Sequence, residues 1–162
     1  MRGVRRTRMP GALASFVAAL VLMVGVTGCG GGHSEGSRGH TAGVAETVKE
    51  AAEFGGLVIP AGVTVLDARS LGGLDTLYQV ALSTDQQGLG ALLTASKFSA
   101  QLDKVYYVPL TTIAGPPLDT SPSILRGGDR YQRPGGRSIN RVIVVDERDS
   151  SNRYVHVQLF TT

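Results

Sequence analysis

Three histidines (His33, His40 and His156), one cysteine (Cys29) and a cluster of five arginines (Arg126, Arg130, Arg133, Arg137 and Arg141) are the residues of this chain whose chemistry stands out. A serine nucleophile needs a neighbouring base and a third group to orient it. His33 and His40 fall in a Gly- and Ser-rich stretch, so His156 is the one candidate base within a patterned segment. Neither Gly-x-Ser-x-Gly nor Ser-x-x-Lys occurs; Ser96 and Lys97 are adjacent, which turns them to different sides of a helix. The spacing argues against a nucleophilic hydrolase.

Other groupings are weaker on inspection. Asp146, Glu147 and Asp149 gather three carboxylates, but Arg148 stands among them and the turn glycine and later bidentate Glu of a calcium loop are missing. They are expected at the polar tip of a hairpin. Asp67 and Asp75 flank a turn and would form a carboxylate pair for acid–base work if brought together. Gly88 and Gly90 open a helix after a strand, as in a dinucleotide loop, yet Leu93 occupies the third glycine position and Asp85 would repel a phosphate. No cofactor or metal ligand set follows from these spacings.

The arginine cluster sets five cations against the single Asp129 within residues 126–141. A planar guanidinium fork matches carboxylates and phosphates, so this loop could grip anionic lipid headgroups, an anionic wall polymer or an acidic envelope protein.

The amino terminus carries a different signal. Arg2, Arg5, Arg6 and Arg8 precede a dense apolar stretch over residues 13–26, shorter than the roughly 20 residues a spanning helix prefers. This is the charged and apolar pattern of an export signal. Arg5 and Arg6 raise the twin-arginine route, but Arg8 and Met9 stand where that motif wants an apolar pair, which favours ordinary secretion. Val26, Thr27, Gly28 and Cys29 follow, an aliphatic residue, two small ones and a cysteine. The quartet resembles the lipobox of bacterial lipoproteins, and the excess of Arg over Lys is similar to actinobacterial members of that group. The resemblance implies that Val26, Thr27 and Gly28 are read by the signal peptidase. It also implies that Cys29 is diacylglycerylated and becomes the first mature residue, so the protein is anchored on the extracytoplasmic face of the cell membrane. Two acyl chains hold a protein stably where one does so marginally.

The full chain has 162 residues and a formal charge of +3. With the four leading arginines removed, 12 basic side chains face 13 acidic ones, net −1, and the electrostatic case for nucleic acid disappears. One cysteine excludes an internal disulfide framework and Cys-rich zinc patterns.

The elements that must position these residues read as follows. Residues 30–43 hold no large apolar side chain and are expected to form a flexible tether. Val44, Val48, Ala51 and Ala52 share a helical face over 44–54, and Gly55–Gly56 supplies a C-cap. Residues 63–69 and 75–84 pattern as a β-hairpin, and 85–98 as the main core helix capped by Thr84 or Asp85. A strand over 104–110 precedes a 27-residue loop, 111–137. Residues 138–146 and 153–161 form a second hairpin, whose Tyr154, His156 and Phe160 are expected on a half-wet face.

The expected fold class is α+β: an antiparallel sheet of about five strands, two hairpins plus one strand, with one main helix packed on it. The chain divides into a signal peptide (1–28), a tether (29–43) and one domain (44–162). The expected function is a non-catalytic binding or interaction module of the cell envelope. A small-ligand or metal carrier and an envelope enzyme with a carboxylate-based site remain open alternatives.

Overall fold

A computed structural model describes residues 35–72 and 75–161, with side chains from residue 43 onward. Val26, Thr27, Gly28 and Cys29 lie outside the described residues. Helix α1 (Glu35–Gly55) leads into β1 (Thr64–Leu71), β2 (Leu77–Thr84), helix α2 (Gln86–Ala95) and β3 (Asp103–Val105). Strands β4 (Ile124–Gln132), β5 (Ser138–Glu147) and β6 (Arg153–Phe160) complete the fold, with a 3-10 turn at Leu118–Thr120. All six strands lie in one antiparallel sheet, order β1-β2-β6-β5-β4-β3. The class is α+β, as the pattern predicts, with one more strand than expected and a longer first helix.

Alternation along the strands separates two faces. Val80 and Leu82 of β2, Val155, Val157 and Leu159 of β6, and Ile143 and Val145 of β5 form one apolar layer. Ala51 of α1 and Leu89 and Leu92 of α2 close over it. Val144, between two inward-facing neighbours, points the other way and packs with Ile124, Val108 and Leu118. The unbroken run Ile143-Val144-Val145 therefore marks a strand covered on both faces, as expected.

The helices end where their local chemistry dictates. Asp85 caps α2 by accepting the Gly88 amide at 2.8 Å. Past the end of α1, Gly56 takes φ +65° and donates its amide to the Ala52 carbonyl; a Cβ there would also lie 2.5 Å from the Tyr131 ring. Helix α1 begins at Glu35, upstream of its expected start at Val44 and inside the expected tether. Extending a helix that packing has already nucleated adds one hydrogen bond per residue without a new nucleation cost, although Gly36, Gly39 and Gly43 weaken that stretch.

Two expectations about strands need correction. The segment 111–137 is not one loop, because β4 occupies its second half and pairs with β5 from Ile124↔Asp146 to Gln132↔Ser138. Glycines and charges mask the strand in the sequence, and its partner rather than propensity makes it β. Gly127 is needed there, since a Cβ would stand 2.7 Å from the Gln101 carbonyl oxygen and 2.8 Å from Leu102. The strand expected over 104–110 is paired over Asp103–Val105 alone, and the chain then leaves the sheet.

Candidate binding groove

After Val105 the chain crosses back over the sheet face opposite the helices. Pro109 sits at the centre of a tight turn in which the Leu110 amide donates to the Val108 carbonyl at 2.8 Å; its fixed φ suits an inverse γ-turn. The turn drives Val108 into the core and leaves the two residues before it outside. Tyr106 is 98% exposed and Tyr107 76% exposed. Beside them runs an open groove of about 590 Å3 whose walls include Pro109, Leu110, Pro117, Leu118 and Asp119, with Ile124 at its base.

The far wall is locked from beneath. Asp146 is fully buried and accepts Arg148 Nε at 2.7 Å on Oδ2 and the Ser121 hydroxyl on Oδ1. The same guanidinium donates to the carbonyls of Pro117 and Thr120 and to the Thr120 hydroxyl, each at 2.8 Å. One ion pair thus fixes the 3-10 turn against the sheet, and charge assistance makes these bonds the strong kind. The acidic cluster expected at a hairpin tip is corrected on this point. Asp149 is at the tip, where its carboxylate accepts the Ser151 and Asn152 amides, but Asp146 points into the protein and Arg148 is its partner.

His156 is corrected as well. It is 4% exposed, because Leu110, Thr111 and Ile113 of the crossing segment close over it and Gln158. Its Nε2 has no hydrogen-bond partner among the described residues, and burial pushes its pKa below the usual histidine value while nearby Asp146 pulls the other way. A base so enclosed cannot reach a substrate as it stands. Asp67 is buried and paired with Arg69 at 3.1 Å, opposite Ala81, whereas Asp75 is exposed beyond the Leu71↔Leu77 end of that hairpin. The fold does not bring them together. Among the described residues no group of three or more His, Cys, Asp or Glu could hold a metal ion.

The arginines divide four to one. Arg126, Arg130, Arg133 and Arg137 are exposed on β4 and the following turn. Arg141 is 4% exposed and serves the fold. Its Nε and Nη2 grip Asp129 at 2.7 and 2.6 Å, Nη1 donates to the carbonyls of Ser96 and Gly55, and Nη2 to that of Lys97. The Phe98 and Tyr131 rings flank it at 5.3 and 5.4 Å. Burial alone would raise the Asp129 pKa, but bonds from Arg141 and Ser99 outweigh it and hold the carboxyl below its usual range. Arg141 therefore leaves the set of arginines available to an anion.

Sequence reading missed the groove altogether. Tyr106-Tyr107 reads as part of a strand, and the only hint against it is the proline two residues on. Comparison with protein-family models, with curated proteins and with solved structures gives no match for the chain.

Proposed function

We propose that the chain is a lipid-anchored binding module of the cell envelope. It is held at the extracytoplasmic face by a diacylglyceryl group on Cys29, and its recognition surface is the groove beneath Tyr106 and Tyr107. The observation that carries this reading is the tyrosine pair itself, two large amphipathic rings held in solvent on a segment that is otherwise pinned to the core. Tyrosines bury much area at small entropic cost and are enriched where proteins meet partners. A rigid floor and a locked wall keep the surface preformed, which lowers the cost of association. The anchor concentrates the module near its membrane.

The test is a photoreactive side chain at Tyr106 in the anchored protein, with Val58, an exposed position on the helical side, as the control. A discrete adduct from Tyr106 that vanishes with Tyr107→Ala, and none from Val58, supports the reading. Equal labelling from both positions sinks it. Intact mass of the purified protein tests the anchor, which predicts a chain starting at Cys29 with acyl groups attached.

A further inference from the structure

We infer that one end of the sheet is a docking surface for an anionic lipid membrane, a reading that rests on the lipid-anchored module proposed above. Directly paired residues of antiparallel strands project from the same face. The register places Leu71, Leu77, Phe160, Asn140 and Arg130 in one row across five strands, through the pairs Leu71↔Leu77, Leu77↔Phe160, Asn140↔Phe160 and Arg130↔Asn140. The row lies on the face away from the helices, at the end where the crossing segment 106–123 does not cover the sheet. Leu71 is 54% exposed, Leu77 and Phe160 are half-buried, and Arg130 is exposed. The turn from Gln132 to Ser138 emerges at the same end and adds exposed Arg133 and Arg137.

Charge complementarity selects the occupant. Of the carboxylates near this end, Asp129 is engaged by Arg141, and exposed Asp75 stands beyond the Leu71↔Leu77 pair at the far edge of the row. Arg130, Arg133 and Arg137 have no carboxylate partner among the described residues, and Arg126 continues the bias along β4. An end at which exposed Arg130, Arg133 and Arg137 outnumber exposed Asp75 thus sits on a domain whose mature chain is net −1. An anionic polymer or an acidic protein would satisfy the arginines but leave Leu71 and Phe160 in water. A bilayer surface takes both, phosphates on the guanidinium groups and apolar side chains at the acyl boundary. The anchor proposed on Cys29 would keep the domain near the bilayer, so a weak surface attraction acts at high effective concentration.

The chain contains no tryptophan, so Phe160→Trp supplies a single reporter in the docking row, and Leu71→Trp a second should the first perturb the fold. Protein carrying its own anchor is reconstituted in vesicles of brominated phosphatidylcholine with or without phosphatidylglycerol. Quenching is expected in the anionic vesicles, relieved by about 0.5 M salt. It should also fall with R130Q/R133Q/R137Q, by roughly fivefold in the docking equilibrium per arginine. Equal quenching without phosphatidylglycerol, quenching unchanged by the triple substitution, or none at all overturns the inference. An emission shift on adding soluble polyphosphate, with no response to anionic vesicles, overturns it in favour of a phosphate polymer. Intact mass of the same preparation reads the anchor separately. If Cys29 is free, the same vesicles added to the unanchored protein still read docking.

Discussion

Arg141 on β5 faces Asp129 on β4 as a directly paired cross-strand couple, Nη2 to Oδ2 2.6 Å, and the pair ties the ends of both helices to the sheet. The guanidinium collects the carbonyls that α1 and α2 leave unpaired at their C-terminal ends, those of Gly55, Ser96 and Lys97. The carboxylate accepts the Ser99 amide and hydroxyl. Arg141→Met should cost about 3–5 kcal/mol in urea unfolding, because it strands a buried carboxylate and three carbonyls. Arg141→Lys should recover only part of that, since an ammonium has three donors and no planar fork. A loss below about 1 kcal/mol for either variant would show that the pair is not the tie described.

The second tie, Asp146 to Arg148, should govern the groove rather than the whole fold. Arg148→Met and Ser121→Ala each free the 3-10 turn from the sheet. Amides across residues 106–123 should then exchange faster by hydrogen–deuterium exchange, while β2, β5 and β6 keep their protection. Uniform loss of protection throughout the sheet would contradict a local role.

His156 gives the stability a pH dependence of definite sign. Burial favours its neutral form in the folded state, whereas the unfolded chain takes up a proton near the ordinary value of about 6.5. The unfolded state therefore binds more protons below that value, and stability present above it is lost as pH falls towards the depressed folded pKa. Urea midpoints measured between about pH 7 and pH 5 should fall less steeply for His156→Gln than for the unaltered chain. Parallel curves would remove His156 from the account.

Two glycines of α2 predict opposite outcomes for the same substitution. A Cβ on Gly88 would lie 1.9 Å from the Thr84 hydroxyl oxygen, which donates to the Gly62 carbonyl, so Gly88→Ala should destabilise by about 1–3 kcal/mol. Nothing lies within 4 Å of a Cβ on Gly90. Gly90→Ala should stabilise by roughly 0.5–1 kcal/mol through helix propensity, and thermal melts of the two variants compare them directly.

The elements legible in the chain are those whose signal is local. The two hairpins, the α2 cap at Asp85 and the doubly covered run at residues 143–145 follow from period and capping chemistry that neighbouring residues impose on one another. Strand β4 was hidden because Gly127, Gly128 and Asp129 have poor β propensity, and their conformation is set by a partner strand and by the Gln101 carbonyl.

Charge and aromatic type are legible in the sequence as residue chemistry but not as location. From spacing alone, five arginines form one cationic cluster, Asp146 belongs to a hairpin tip and His156 sits half in water. Tertiary packing turned Arg141 and Asp146 inward as the two ties, closed residues 110–113 over His156, and left Tyr106 and Tyr107 outside. Sequence determines which groups can pair and with what period they repeat. Which carboxylate lies within hydrogen-bond reach of which guanidinium depends on strands brought together across the sheet, because desolvation and Coulomb attraction fall off over a few ångströms of space and take no account of distance along the chain.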